Sequence, residues 1–425
     1  MMQYWLTVIF LINTDIVCAN NSLTNNVKHF NATRRIINGQ EAGDTRPYMV
    51  YLRPARTETS VDANWLCGGV IVDHQHILTS AACIEDVKHF YVVSGTHKWY
   101  EKNTDEECIR NGAKKAVWKC VSKDYVYDAD QLDNIRWMIN DIAVVRVEDS
   151  FNFEKRVRGC DFIPKQIAYN NQSEEAEKPG TVGSIAGWGS VESFGDLFGR
   201  KTVNSPELLE TDVVLISKRR CKMRWPERYH NIIDGNVICA RDSSGESINE
   251  QCNDQELYCK ELSSEDGTLR RHYDVNATSL LVHSSRHLNN TRRSTVQSGG
   301  FCENDHGGPL IVGHGPRAIL IGLILACQTA NITQKCYGPY LYTSVYKNRF
   351  LISCAIEKDL GATCKQMLRS SKTRISEYNW ANHPDGPAKS EDNSNYLRSH
   401  MNETIHKKFA KRSRHNRQQR QLSEN

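Results

Sequence analysis

Cysteines are the residues with the clearest chemistry in this 425-residue sequence, which contains fifteen of them. So many thiols are typical of an oxidising compartment, where they form disulfide bonds. A zinc site is the alternative, but no Cys-x-x-Cys pair occurs and the histidines do not lie near the cysteines at ligand spacing. We therefore expect disulfides, with no metal and no cofactor.

An apolar run near the first residue predicts a secretory signal peptide. Residues 6–12 are mostly apolar, and Val17, Cys18 and Ala19 place small residues where a signal peptidase cuts. The run is too short to cross a membrane. We expect residues 1–19 to be removed, which leaves fourteen cysteines, and the protein to be secreted and extracellular, with no transmembrane segment.

Seven Asn-x-Ser/Thr sequons agree with passage through the secretory route. Each pattern is short and arises often by chance, so the set carries more weight than any one of them. The predicted glycosylation sites are Asn20, Asn31, Asn171, Asn276, Asn289, Asn331 and Asn402.

Short apolar runs rich in β-branched residues, such as 69–72, 142–145 and 318–321, predict an all-β domain between residues 47 and 350. Glycine, asparagine, aspartate and proline separate the runs, as is typical of a sandwich or barrel. One such domain with appendages fits the length of the chain.

Two polar stretches interrupt this pattern. Residues 241–299 contain few large apolar residues and predict a long exposed insertion. Residues 365–425 hold 13 Lys or Arg against 6 Asp or Glu, so the tail is basic although the rest of the chain is mildly acidic. The tail has too little apolar surface to fold alone, and we expect it to be disordered.

Six short motifs follow one another in a fixed order. They occupy residues 35–39, 67–83, 140–144, 186–189, 237–240 and 302–310. In these motifs the chain resembles the chymotrypsin/trypsin-like serine proteases, over roughly residues 36–356. The resemblance implies two six-stranded antiparallel β-barrels with a short C-terminal helix.

The signal-peptide pattern, the resemblance and the composition together divide the chain. The expected parts are a signal peptide at 1–19, a prosegment at 20–35, a protease-like domain at 36–364 with the insertion at 241–299, and the basic tail at 365–425.

The two catalytic motifs depart from the family pattern. Where the family has a histidine immediately before Cys83, this chain has Ala82, so the general base is missing. Where the family has the attacking serine, in Gly-Asp-Ser-Gly-Gly-Pro, this chain has His306. Of the three catalytic positions only Asp141 is retained, and its role in the family is to orient the missing histidine. We predict a pseudoenzyme.

The two substitutions also suggest a new contact. The small Ala82 leaves space beside Asp141, and His306 adds an imidazole nearby. We hypothesise a hydrogen bond between His306 and Asp141, direct or through a water molecule. The alternative is an exposed histidine in an inactive cleft.

The activation apparatus matches the family more closely. Asp305 corresponds to the buried aspartate that pairs with the new amino terminus after cleavage, which here would be Ile36 released by cleavage after Arg35. An unpaired buried carboxylate is costly, so its retention agrees with processing. The alternative is an uncut prosegment with a solvated dibasic turn.

By the same comparison, the substrate pocket differs from that of the trypsin-like proteases. Gly300 stands where trypsin-like members carry an acidic residue, so recognition of Lys or Arg is not supported. Ala326 and Tyr340 fall at the pocket walls, and we expect the tyrosine ring to fill the pocket.

The expected disulfides have three origins. Three pairs are implied by the resemblance: Cys67–Cys83, Cys221–Cys239 and Cys302–Cys336. Two are local guesses within loops: Cys108–Cys120 and Cys252–Cys259. The remaining four cysteines are Cys160, Cys327, Cys354 and Cys364, and they allow three connectivities. Among these we favour Cys160–Cys354 and leave the pairing of Cys327 and Cys364 open.

Three functions are compatible with these residues. The leading one is a non-catalytic extracellular protein that binds proteases, their substrates or their inhibitors and regulates proteolysis. The second is an active serine-type endopeptidase with divergent catalytic residues. The third is an extracellular module that binds a polyanion through the basic tail. The insertion enters a loop at the rim of the cleft, where it either covers the cleft, presents a partner surface or is merely tolerated.

Overall fold

A computed structural model describes most of the chain from residue 36 to residue 389. The described residues are 36, 39–58, 65–126, 138–190, 204–242, 260–263, 269–272, 300–302, 304–329, 336–357, 361–369 and 373–389.

Six antiparallel strands close the first barrel. They are β2 (Met49–Pro54), β3 (Cys67–Ile71), β4 (His76–Thr79), β5 (Phe90–Val93), β6 (Lys114–Ser122) and β7 (Ala143–Val147), after a short β1 (Gln40–Glu41) that pairs outside this barrel. The order around the barrel is β2-β3-β4-β7-β6-β5, and β5 pairs back to β2. Every residue of β2, β3 and β4 is buried, because both the barrel interior and its outer neighbours cover these runs.

Six further antiparallel strands close the second barrel. They are β9 (Val182–Gly187), β10 (Leu209–Ile216), β11 (Val237–Asp242), β14 (Pro309–Val312), β15 (Ile319–Thr329) and β16 (Cys336–Ser344). The order is β10-β11-β16-β15-β14-β9, and β9 pairs back to β10. The two-residue β8 (Ala168–Tyr169) pairs with β15, and β1 pairs with β10. The predicted fold class is confirmed in its two barrels.

Helices lie around the barrels. They are α1 (Glu107–Gly112), α2 (Lys218–Arg224), α3 (His230–Asp234), α4 (Arg349–Ile356) and α5 (Ala362–Arg369). Among the described residues, none of these helices is long and apolar enough to cross a membrane.

The predicted insertion begins later than expected and contains regular structure. Arg241 and Asp242 belong to β11, where they pair with β10. Within the insertion, β12 (Lys260–Ser263) and β13 (Leu269–His272) form an antiparallel pair. The other residues between 243 and 299 lie outside the described part.

The prediction of a disordered tail from residue 365 is wrong for residues 365–369 and 373–389, which are ordered. After α5, β17 (Thr373–Glu377) pairs with β6, from Thr373 opposite Ser122 to Glu377 opposite Trp118. Trp380, which follows this strand, is completely buried. This segment needs no core of its own, because it buries its few apolar side chains against the first barrel. Residues 390–425 lie outside the described part.

Three of the expected disulfides are confirmed and two are corrected. Cys67–Cys83, Cys221–Cys239 and Cys302–Cys336 form as expected. Cys108 pairs with Cys160 and not with Cys120, and Cys354 pairs with Cys364 and not with Cys160.

The corrections have a simple geometric cause. Cys120 is fully buried on β6 and belongs to the barrel core, whereas Cys108 on α1 lies against the turn that ends at Cys160. Cys120 and Cys327 are free cysteines in the described part of the chain. The guessed Cys252–Cys259 pair lies outside the described residues.

Candidate active-site cleft

Asp141 is a buried carboxylate at the start of the loop-to-strand transition into β7. It follows Asn140, whose backbone has a positive φ of 53°, and its side chain is 1% exposed. The Ser80 hydroxyl donates to Oδ2 at 2.6 Å, and the backbone N–H of Ala82 donates to Oδ1 at 2.8 Å. Burial raises the pKa of Asp141 to about 6, against the lowering effect of these hydrogen bonds.

Ala82 lies where the resemblance expects a general base. It begins a short 3₁₀ turn, Ala82–Ile84, which contains Cys83 of the Cys67–Cys83 disulfide. Its methyl group can neither donate nor accept a proton. It contacts Asp141 only through its backbone N–H. The structure therefore brings Ala82 and Asp141 together without an ionisable partner at the first position.

His306 lies on the tight loop before β14. Its carbonyl oxygen accepts from the Gly68 backbone N–H at 2.8 Å, which connects the loop to the first barrel. The following Gly307 has a positive φ of 74°, and a Cβ there would lie 2.5 Å from the Thr79 hydroxyl, so only glycine fits this close approach. Burial lowers the pKa of the His306 imidazole to about 4, so the ring is neutral at physiological pH.

A direct hydrogen bond from His306 is not among the contacts of the Asp141 carboxylate in the described structure, and the water-bridged form stays a prediction. The carboxylate of Asp141 accepts from Ser80 and Ala82, and burial alone accounts for the shifted pKa of His306. The Ser80 contact was not predictable, because a serine beside Ala81 has no distinguishing pattern.

Asp305 is a second buried carboxylate and is held by backbone amides. Gly189 donates to Oδ1 at 2.8 Å and Cys302 donates to Oδ2 at 3.2 Å. Burial raises the pKa of Asp305 to about 7, and no cationic group contributes to the shift. A Cβ at Gly187 would lie 2.1 Å from Oδ1, which explains the glycine at that position.

Ile36 is fully buried in the second barrel, in the same cluster as Phe301. Its backbone has a positive φ of 39°, an uncommon conformation for a β-branched residue. Arg35, the expected cleavage position, lies outside the described residues.

The pocket position is occupied by an aromatic ring. A Cβ built on Gly300 would lie 2.0 Å from both Cζ and Oη of Tyr340, so the tyrosine ring takes the space in front of Gly300. Tyr340 is 3% exposed, and its ring centroid is 5.0 Å from that of Phe301. Ala326, on the neighbouring β15, is 7% exposed and presents only a methyl group.

Two further residues at this cleft were missed by the sequence reasoning. Asn304 adopts a positive φ of 67°, where the family motif has glycine, and its side chain donates to Asn204 at 2.8 Å. Asparagine is among the few residues that tolerate this conformation. An asparagine at a glycine position of the motif is therefore the sequence feature that indicates it. Cys327 adjoins Ala326, and burial raises the pKa of its thiol.

One of the seven predicted glycosylation sites lies in the described part of the chain. Asn171 is exposed, as a glycosylation site requires. The other six sequons lie outside the described residues. Within the described ranges, no three metal-binding side chains cluster together.

Two closed antiparallel barrels, with a cleft formed by loops from both, define the trypsin-like serine protease fold. A family model described as Trypsin matches residues 36–252, about half of the chain. The chain therefore belongs to the trypsin family.

Its relatives are similar over part of their length. The chain is 27% identical to Trypsin epsilon of Drosophila erecta over 48% of this chain and 66% of that protein. It is 26% identical to Chymotrypsin of Phaedon cochleariae, over 49% and 67%, and 26% identical to Serine protease grass of Drosophila melanogaster, over 45% and 48%. The chain thus spans from about half to two thirds of these relatives.

Similar solved structures include neuropsin, a serine protease expressed in the limbic system of mouse brain. It is 17% identical with a TM-score of 0.44, over 76% of this chain and all of that chain. A structure titled HL collagenase is 18% identical with a TM-score of 0.43, over 75% and 96%.

Proposed function

We propose that this chain is a secreted, non-catalytic serine protease homologue that acts by binding proteins and thereby regulates proteolysis. The observation that carries the proposal is the identity of the residues around Asp141. Ala82 contacts the carboxylate through its backbone only, and His306 stands at the nucleophile position.

The chemistry of peptide hydrolysis supports this proposal. A serine hydroxyl attacks only when a positioned base removes its proton, and loss of such a unit costs about a millionfold in turnover. His306 is held neutral by burial, and Asp141 is engaged by Ser80 and Ala82. Backbone amides that stabilise an oxyanion do not replace the missing attacking atom.

The filled pocket favours binding over cleavage as well. Tyr340 occupies the space in front of Gly300, where the resemblance places the side chain of a substrate. We infer that partners contact the rim of the cleft and are extracellular proteins: proteases, their substrates or their inhibitors. The predicted signal peptide, the sequons and the five described disulfides agree with secretion.

Labelling with a peptidyl phosphonate that reacts with active-site serines tests the proposal. We expect no covalent adduct by intact-mass spectrometry under conditions in which trypsin is fully modified. The triple variant Ala82→His, His306→Ser and Tyr340→Gly restores three of the altered positions and serves as the positive control on the same scaffold. An adduct on the unaltered chain would show that it is an active serine-type endopeptidase.

A further inference from the structure

The most basic described stretch of the chain lies beside the second barrel. Residues 218–229, here called the basic segment, hold six Lys or Arg and one acidic residue, Glu227. Their net charge of +5 exceeds the +4 of the whole chain. The segment covers α2 and the 3₁₀ turn that follows it, and the Cys221–Cys239 disulfide fixes it to β11.

The lysines of the basic segment have structural partners. Lys218 Nζ donates to the backbone oxygens of Asp234 and Gly235 at 2.9 and 3.0 Å, at the end of α3. Lys222 Nζ pairs with the Asp234 carboxylate at 2.7 Å. These contacts fix α2 against α3. Both lysine ammonium groups are therefore engaged within the fold.

Arg219 and Arg224 differ from the lysines. Both are exposed, and no ion pair of either side chain is present in the described part of the chain. Their guanidinium groups therefore carry charge that the described fold does not neutralise. An arginine fork binds a carboxylate through two parallel hydrogen bonds, which gives direction as well as charge.

Met223 lies between these arginines and is 70% exposed. It is the most exposed of the large apolar side chains in the described part of the chain, and methionine and arginine are both enriched in protein interfaces. A sulfated polysaccharide needs only the cations, whereas a protein segment also uses the methionine. The composition of this surface therefore favours a protein partner.

The basic segment adjoins the filled pocket. The backbone oxygen of Arg224 accepts from Gln328 Nε2 at 3.1 Å, and Trp225 Nε1 donates to the backbone oxygen of Pro339 at 2.9 Å. Gln328 lies two residues beyond Ala326, and Pro339 precedes Tyr340. A partner segment that lies along this side of the cleft consequently passes the exposed arginines.

We propose that the basic segment is a docking surface for an extended, acidic segment of a protein partner. Carboxylates of the partner bind Arg219 and Arg224, and an apolar side chain packs on Met223. Arg219 and Met223 are one helical turn apart, about 6 Å along the axis, which is close to the roughly 6.7 Å between alternate residues of an extended peptide. The proposal rests on the proposed function, since it assigns partner chemistry to the same non-catalytic cleft.

Fluorescence anisotropy with the full secreted chain tests this surface. The probe is a labelled peptide in which glutamate alternates with leucine over seven residues, flanked by Gly-Ser. We expect the double variant Arg219→Glu and Arg224→Glu to weaken binding at least about tenfold, with the loss growing as salt is lowered. Met223→Ala is expected to weaken peptide binding about threefold and to leave heparin binding unchanged.

Matched variants make the outcome decisive. Arg156→Glu with Arg317→Glu changes the net charge equally at two other exposed arginines and is expected to retain the affinity of the unaltered chain. Arg219→Lys with Arg224→Lys keeps the charge and removes the fork, and an intermediate loss is expected. Thermal unfolding of each variant verifies that it folds.

Three results would overturn the proposal: equal losses in the two charge-reversed pairs, no peptide binding by the unaltered chain, or heparin binding that depends on Arg219 and Arg224 without peptide binding. The last result would identify a polysaccharide surface. Failure of the proposed function would appear separately, as a phosphonate adduct, whatever the peptide result.

Discussion

At the scale of single residues, Asp141 is a buried carboxylate beside Ala82, which occupies the position where the resemblance expects a histidine. Its carboxylate keeps a fixed position because Ser80 and the Ala82 amide donate to it. Neither donor is charged, so the effect of burial exceeds that of the hydrogen bonds and raises the pKa of Asp141 to about 6. Under the proposed function this aspartate is a structural residue with a stability cost at neutral pH.

The Asp141→Asn variant tests that cost. The pKa of Asp141 in the folded chain lies above its ordinary value of 3.8, so the folded state holds a proton that the unfolded chain has lost. The contribution of Asp141 to stability therefore falls as pH rises from about 4 and is fully lost above about 6. We expect the free energy of unfolding of the variant, relative to the unaltered chain, to improve by about 1 to 3 kcal/mol from pH 4 to pH 7.

Urea denaturation across this pH range measures the difference. His306 is present in both proteins, so its opposite pH dependence, with stability lost as pH falls below 6.5, cancels in the comparison. The exposed Asp44→Asn serves as control. A difference that does not vary with pH would show that Asp141 is ionised equally in both states.

At the scale of elements, β17 and the residues after it complete the first barrel. β5 pairs with β6 only at Lys114 and Lys115, and β17 covers the rest of that edge from Trp118 to Ser122. Trp380 then packs beneath, with Nε1 donating to the Ala116 backbone oxygen at 2.7 Å. An uncovered strand edge exposes backbone groups that invite aggregation, so this segment protects the barrel.

Trp380→Ala is expected to destabilise the protein by about 3 to 5 kcal/mol, because the buried indole fills space in the core of the first barrel. Ile375→Ala on β17 is the control, since Ile375 is 41% exposed and its loss is expected to cost under about 1 kcal/mol. Chemical denaturation measures both. Equal, small effects would mean that burial of the Trp380 indole does not stabilise the first barrel.

This segment also shows where sequence reasoning reached its limit. The barrel strands were predictable because their apolar runs are continuous and β-branched, and the motifs located Ala82, Asp141 and His306. The order after residue 365 was not predictable, because a few apolar residues such as Trp380 gain stability only from a surface formed by distant β6. Cys108–Cys160 was hidden for the same reason: its partners are 52 residues apart and meet through the fold.

At the scale of the whole molecule, the two barrels are joined at the cleft and at the C-terminal end. The Gly68 N–H donates to the His306 carbonyl oxygen, which connects β3 to the loop before β14. The chain leaves the second barrel through α4 and α5, which the Cys354–Cys364 disulfide links, and returns to the first barrel as β17. A proposed binding cleft formed by both barrels is therefore supported on two sides.

Cleavage before Ile36 is expected to stabilise the whole molecule through Asp305. We propose that the released amino group pairs with this buried carboxylate, which receives only backbone amides in the described structure. The pKa of Asp305 is raised to about 7 without a cation, and an ammonium partner lowers it. With residues 31–35 replaced by Asp-Asp-Asp-Asp-Lys, enteropeptidase makes this cut, and we expect Tm to rise by a few degrees at pH 7.5.

Two comparisons isolate this effect in calorimetry. In Asp305→Asn on the same background, the cut is expected to leave Tm unchanged, because the amino group has no anion to pair with. In the unaltered Asp305 protein, the gain is expected to decline above about pH 8 as the amino group loses its proton. The same rise in Tm with Asn at position 305 would show that cleavage acts through removal of the prosegment, and that Asp305 is retained for its backbone hydrogen bonds alone.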